Sequence, residues 1–232
     1  MRSSMIEIAA VNVGTPTLLA SAGGEHVWSG ISKHPVSGPG LLWLSELNLG
    51  GDGQADLSVH GGVDKAVYAY PSEHLDPWSD ELEEELGPAP FGENVSTVGV
   101  LERDVRVGDV WSWGGAVLQV SQPRWPCSKL ALHRRRADIQ ARFRASGRTG
   151  WYLRVLRPGE VPAAGPIEVT TRDPAGVSVL DAHSAMSDVQ LRQPDLAQAV
   201  ARHPALAAQW RDPILERLER VRGSRPGAAR AD

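Results

Sequence analysis

The sequence predicts a mainly β protein with a few helices, followed by a small C-terminal three-helix domain. Three observations predict it. Glycine (24) and proline (17) are plentiful and fall between short apolar runs, the pattern of many turns joining many short strands. Trp113-Gly114-Gly115-Ala116 is a strong hairpin signal, because Gly-Gly suits the primed turns that match strand twist. From Val177 the texture changes, as strand-forming residues give way to Ala, Leu, Gln and Arg.

In chain order, Met5 to Val13 reads as an opening strand ended by Gly14 and Pro16. Residues 20–40, rich in Gly, Ser and Pro, read as loop with Trp28, Ile31 and Val36 as anchors. Leu41 to Leu49 alternates imperfectly up to Gly50-Gly51-Asp52-Gly53. Asp52, Gln54 and Asp56 have the look of a calcium loop, but the later Gly and closing Glu are missing at the required spacing, so calcium is set aside. Ala66 to Tyr70 reads as a buried strand stopped by Pro71. His74 to Leu86 reads as an acidic helix with a solvated face. Val105 to Val107, Asp109 to Trp113 and Ala116 to Val120 read as strands. Asp138 to Ala145 reads as a helix with Ile139 and Phe143 on one face, ended by Gly147. Thr149 to Leu156 and Ile167 to Thr171 read as further strands.

In the last part Ser178 is placed to cap a helix through about Met186. Pro194 suits the first position of a helix from Asp195 to His203. Pro204 is placed to start a third helix, with Leu206, Trp210, Ile214 and Leu218 on one face and Pro213 kinking or dividing it. The three-helix unit spans 177–222, and residues 223–232 are a disordered tail by composition.

The totals exclude several classes. With 232 residues, 41% hydrophobic and 22% charged, the chain can bury a sizeable core. A net charge of −4 argues against a general nucleic-acid binder. No run reaches the ~20 apolar residues of a membrane span, and the N-terminus lacks a signal-peptide pattern. A single cysteine forms no internal disulfide and no multi-cysteine zinc site, so a reducing, cytoplasmic setting is expected.

That cysteine, Cys127, carries the strongest chemical signal. Pro123 and Pro126 brace it, so it stands on a stiff loop leaving a strand, and Arg124 and Lys129 would favour the thiolate. A cysteine-protease reading needs a base, and nothing in the spacing of His60 or His133 supports that pairing. The bland reading is a small buried hydrophobe. His60-Gly61-Gly62 lies ahead of Lys65, where flexible backbone and a cation together suit an anionic ligand, although a turn alone would account for it.

Three motifs in order, His60-Gly61-Gly62-x-Asp64-x-Ala66-Val67-x-x-Tyr70, Phe91-Gly92-Glu93-Asn94 and Gln122-Pro123-Arg124-x-Pro126-Cys127-x-Lys129-Leu130, resemble the MOSC domain, and among its members the YiiM-type N-hydroxylaminopurine resistance proteins. The resemblance covers nearly the whole chain. Residues 1–34 would lead into the barrel, 35–172 would be the MOSC domain, and the tail matches the family's three-helix domain. It implies a β-barrel that binds molybdenum cofactor (molybdopterin), with Cys127 ligating molybdenum. It further implies reduction of N-hydroxylated bases and related small molecules, with electrons from an external donor protein. His60, Gly61, Gly62, Lys65, Tyr70, Glu93, Asn94, Gln122, Arg124 and Lys129 are the expected cofactor-binding set. Lys65, Arg124 and Lys129 would hold its phosphate. The first 40 residues match no motif. A monomer or homodimer is expected.

Two other readings stay open on the sequence. One is a non-enzymatic carrier of the cofactor, or of persulfide sulfur on Cys127. The other is a small-molecule binding module in which the cysteine is structural.

Overall fold

The computed structural model describes residues 4–20, 26–38, 40–55 and 61–223. The chain opens with β1 (Ser4–Val13), a short hairpin of β2 (Thr17–Ala20) and β3 (His26–Ser29), then β4 (His34–Pro35) and β5 (Leu41–Leu44). Next come β6 (Val67–Pro71), α1 (Leu75–Leu82), β7 (Val95–Val98), β8 (Val110–Trp113) and β9 (Ala116–Pro123). Helices α2 (Ser128–Arg134) and α3 (Ile139–Ser146) precede β10 (Trp151–Arg157), β11 (Gly159–Pro162) and β12 (Gly165–Thr171). The tail is α4 (Val179–Ser187), α5 (Pro194–Ala201) and α6 (Ala208–Gly223).

Seven strands close a barrel in the order β12-β8-β9-β10-β6-β7-β1, with β1 pairing back onto β12. Only β6 and β7 run parallel. Closure removes the free sheet edges that invite association. The Gly-Gly hairpin forms as expected, with Trp113 opposite Ala116 and Gly114 at φ +55°. Inside lie Ile6, Val67, Trp111, Trp113, Leu118, Val120 and Trp151. Each comes from a strand whose side chains alternate between the interior and the outside. Outside the barrel, α1, α2 and α3 cover an aromatic cluster of Tyr68, Tyr70, Trp78, Phe91 and Phe143. Among the described residues no helix is long and apolar enough to cross a membrane.

The three-helix unit is present, and its stripe packs as expected. Leu206, Trp210, Ile214 and Leu218 share a core with Ala182, Ala197 and Val200 from the other two helices. Ser178 caps α4 in a reciprocal box with Asp181, accepting from its N–H at 3.0 Å while Asp181 accepts from Ser178 N–H at 2.9 Å. Pro194 stands at the first position of α5.

Several expectations are corrected. Residues 20–40 are not plain loop, since they hold β3 and β4. These strands have four and two residues, too short for alternation to register in a sequence. The acidic helix stops at Leu82, where Glu83 turns left-handed at φ +54°. Three glutamates in a row at the negative end of the helix dipole, with no cation among them, oppose its continuation. Val105 to Val107 makes only an isolated bridge, Arg106 to Ser178, before Gly108 turns at φ +91°. Pro213 lies inside α6 without dividing it. Trp210, Ile214 and Leu218 are buried on either side of it, so packing outweighs the single hydrogen bond that proline deletes. Pro204 does not begin that helix. β1 is itself a stave of the barrel, so a boundary at residue 35 would separate it from the strands it joins.

Candidate functional site

β9 ends at Pro123, which pairs with Trp151 on β10. The chain then turns across the barrel mouth, with Arg124 N–H donating to the Gly150 carbonyl at 3.3 Å. Cys127 follows in extended conformation as the N-cap of α2, and its carbonyl accepts from Leu130 N–H at 3.0 Å. Its thiol is half-buried and faces a cleft of about 140 Å³. Lys65, Asn94, Gln122, Arg124 and Lys129 from the expected set line the same cleft.

Arg124 is buried, with its guanidinium 4.7 Å from the centre of the Tyr68 ring and donating to the Phe91 carbonyl. An arginine cannot shed its charge, so this places a permanent cation at the cleft wall. Lys65 reaches the cleft through a short turn over Val63–Lys65. Gly62 precedes that turn at φ +94°, a conformation that favours glycine. Gln54 clamps the turn by accepting from Gly62 N–H at 2.9 Å and donating to the Lys65 carbonyl at 3.2 Å. Asp64 anchors it by accepting from Arg154 Nε at 2.7 Å. Gly61 and Gly62 themselves do not line the cleft. His60 lies outside the described residues.

Two more of the expected residues stand away from the cleft. Tyr70 is fully buried in the aromatic cluster, its hydroxyl accepting from Trp78 Nε1 at 2.7 Å and donating to the Arg148 carbonyl at 3.3 Å. Tyr68, on the same face of β6, lines the cleft in its place. Glu93 is fully buried, where Oε2 accepts from Phe91 N–H at 3.1 Å and Oε1 has no partner among the described residues. Asn94 does reach the cleft, but its amide is already used. Oδ1 accepts from Tyr68 N–H at 3.0 Å, and Nδ2 donates to Asp52 at 2.8 Å and to the Asn12 carbonyl at 3.3 Å. Asn94 is a clip holding the wall together. His133 pairs with Ser32 at 3.4 Å rather than with Cys127, and burial holds its pKa down to about 4.

Burial pushes the Glu93 carboxyl up to about 7, against the backbone donors at Glu93 and Phe91 and the cations Arg124 and Lys33. The folded state then holds a proton that the unfolded state has released between pH about 4.5 and about 7. Stability therefore falls as pH rises through that window, by about 3 kcal/mol in all. Glu93→Gln keeps the acceptor for Phe91 and is expected to flatten that slope. Urea unfolding at pH 5 and pH 7.5 checks this, and an unchanged slope would assign it to another group.

The sequence reading missed the charged pair opposite. Lys33 and Asp52 both line the cleft and form an ion pair with side chains only 7% and 4% exposed. Asp52 also accepts from Gly14 N–H at 3.0 Å and from Asn94. Burial lowers the Lys33 pKa, and the Asp52 carboxylate opposes that. The one signal was Asp52 within a glycine run. Gln209 and Trp210 of α6 also reach the cleft, and nothing local marks them.

Comparison with known proteins bears on the family and the fold. The family model described as MOSC domain matches residues 56–168. The crystal structure of YiiM from Geobacillus stearothermophilus superposes with a TM-score of 0.76 at 32% identity, over 92% of this chain and 99% of that one. The chain belongs to the MOSC family and is YiiM-like. "Protein YiiM" of Escherichia coli (strain K12) is 47% identical over 147 residues, 62% of this chain and 65% of that protein. A protein named "Reductase" from Gibberella moniliformis (strain M3125 / FGSC 7600) is 34% identical over 163 residues, 68% of this chain but 28% of that protein. The stretch matching the MOSC model starts after β5 and ends inside β12, so it omits β1, which the barrel needs for closure.

Proposed function

We propose that this MOSC protein is a molybdenum-cofactor-dependent reductase of N-hydroxylated bases and related N-hydroxylated compounds. The observation that carries the reading is one half-buried thiol, Cys127, facing a cleft that Lys33, Lys65, Arg124 and Lys129 also line. Among the described residues no three His, Cys, Asp or Glu side chains converge to hold a metal ion. Cys127 thus offers a single soft sulfur donor, which fits a metal that arrives with sulfur ligands of its own. The cations suit the phosphate of a pterin cofactor. When bound, molybdenum cofactor supplies a two-electron centre able to take up oxygen.

The chain's own residues would do the rest. Cys127 would hold the metal from the N-cap of α2, and Lys65, Arg124 and Lys129 would orient the phosphate. Glu93 would tune the charge behind Arg124 without touching the ligand. The overall reaction breaks the N–O bond. R–NHOH with two electrons and two protons gives R–NH2 and water, and an external donor protein supplies the electrons.

The test is expression in a host that makes the cofactor. Molybdenum stoichiometric with the chain is expected, together with turnover of 6-N-hydroxylaminopurine using a reduced viologen dye as donor. Metal-free protein without turnover would overturn the reading. Mass spectrometry showing persulfide on Cys127 without turnover would favour a sulfur carrier.

A further inference from the structure

The cleft has a second wall that the barrel alone does not provide. Gln122, on β9, is 1% exposed, and Gln209 is the second residue of α6. Gln209 Nε2 donates to Gln122 Oε1, joining two carboxamides 87 residues apart. Each carboxamide carries one carbonyl and two N–H donors, and neither side chain has another partner among the described residues. Whichever way the two amides are oriented, the pair leaves one carbonyl and one NH2 group with unused capacity in the cleft wall. Gln122 is nearly buried as a residue and lines the cleft, so its spare hydrogen bonds are available to what the cleft holds.

Beside the pair stands Trp125, 37% exposed and lining the cleft. Its ring meets Trp210 edge-on at 5.7 Å and 81°, and Arg144 and His183 pack at 5.9 Å and 5.8 Å. Two hydrogen bonds to backbone groups of the tail tie it to the barrel. Ala207 N–H donates to the Ser121 carbonyl at 3.1 Å, next to Gln122, and Arg154 Nη2 donates to the Ala205 carbonyl at 2.8 Å. Arg154 also holds Asp64, so one β10 side chain fixes the tail and the Lys65 turn together.

We propose that Gln122 and Gln209 read the donor–acceptor edge of a flat N-hydroxyamidine-type substrate against Trp125, so that α6 sets substrate choice in the barrel cleft. In such a substrate an N–H donor adjoins a ring or imine nitrogen acceptor, the complement of one carbonyl and one NH2, which is how a carboxamide reads an adenine edge. Trp125 offers a rigid aromatic face for the ring. A substrate without the second nitrogen leaves these amides without a ligand partner, and for the buried Gln122 that discriminates against it.

The inference rests on the reductase reading for the chemistry, but its recognition part is tested separately. In the holoenzyme, the ratio of kcat/KM for 6-N-hydroxylaminopurine over N-phenylhydroxylamine is expected to fall about tenfold in Gln209→Leu, the loss of roughly one hydrogen bond. Calorimetric titration with adenine, which is not turned over, is expected to show affinity weakened by a similar factor. Gln209 is exposed, so this variant folds. Gln122→Leu should give the same selectivity change. An unchanged ratio with equal adenine affinity would overturn the proposal, as would absence of adenine binding to the unaltered protein. Adenine discrimination without turnover of any N-hydroxylated compound would leave the recognition standing and remove the reductase reading.

Discussion

Cys127→Ser is expected to lose bound molybdenum and to lower reductase activity by more than about 100-fold, while leaving the fold intact. Even partners in the second coordination layer of a metal site are worth about 10–100-fold, so loss of the ligand proposed above should exceed that. The exchange replaces a soft sulfur by a hard oxygen of similar size, which a metal with sulfur ligands prefers less. Its effect on stability should be small and of the opposite sign. Cys127 is the N-cap of α2 and makes no side-chain capping bond. Serine is among the best N-cap residues, so the variant should be equally stable or more stable by a few tenths of a kcal/mol. Metal analysis, turnover and urea unfolding of one preparation separate the two roles. A serine variant that keeps metal and turnover would return Cys127 to a packing role.

Asp52→Asn is expected to destabilise the fold by about 3–5 kcal/mol, the cost of leaving one member of a buried ion pair without its partner. Lys33 would keep its ammonium in a buried site with Arg124 nearby, and the new amide NH2 would face the Asn94 donor. The loss should shrink as pH rises. A buried lysine with a lowered pKa binds fewer protons folded than unfolded below its ordinary value of 10.5, so stability grows with pH in that range. Adding Lys33→Met to Asp52→Asn removes the stranded charge and should recover most of the stability. Chemical unfolding of the two single variants and the double variant, at neutral and alkaline pH, gives the coupling directly. Additive effects would mean that the two charges do not depend on each other.

Legibility in the sequence follows the length scale of the physics. Hairpin turns, caps and helix ends were readable because each depends on a few neighbours. Gly-Gly set the β8–β9 turn, Ser178 and Asp181 made the α4 box, and Gly147 ended α3. The cleft was partly readable, because Arg124, Cys127 and Lys129 lie within six residues, from the loop after β9 into the first turn of α2. Tyr70 was misplaced by two residues on one strand face. Its motif position says that it is needed, and only packing showed that it serves the aromatic cluster while Tyr68 meets the cleft.

The sequence by itself determined the mainly β class and the three-helix tail, which rest on local backbone preference. The family rests on the resemblance of three motifs in order to known members, and Cys127 stood out by its residue type within a proline-braced stretch. Only the tertiary structure decided what surrounds the thiol. Lys33 meets Asp52 across 19 residues, Asp52 meets Asn94 across 42, and Gln122 meets Gln209 across 87. Such contacts depend on barrel closure and on where the tail docks, and no local preference of the chain encodes either.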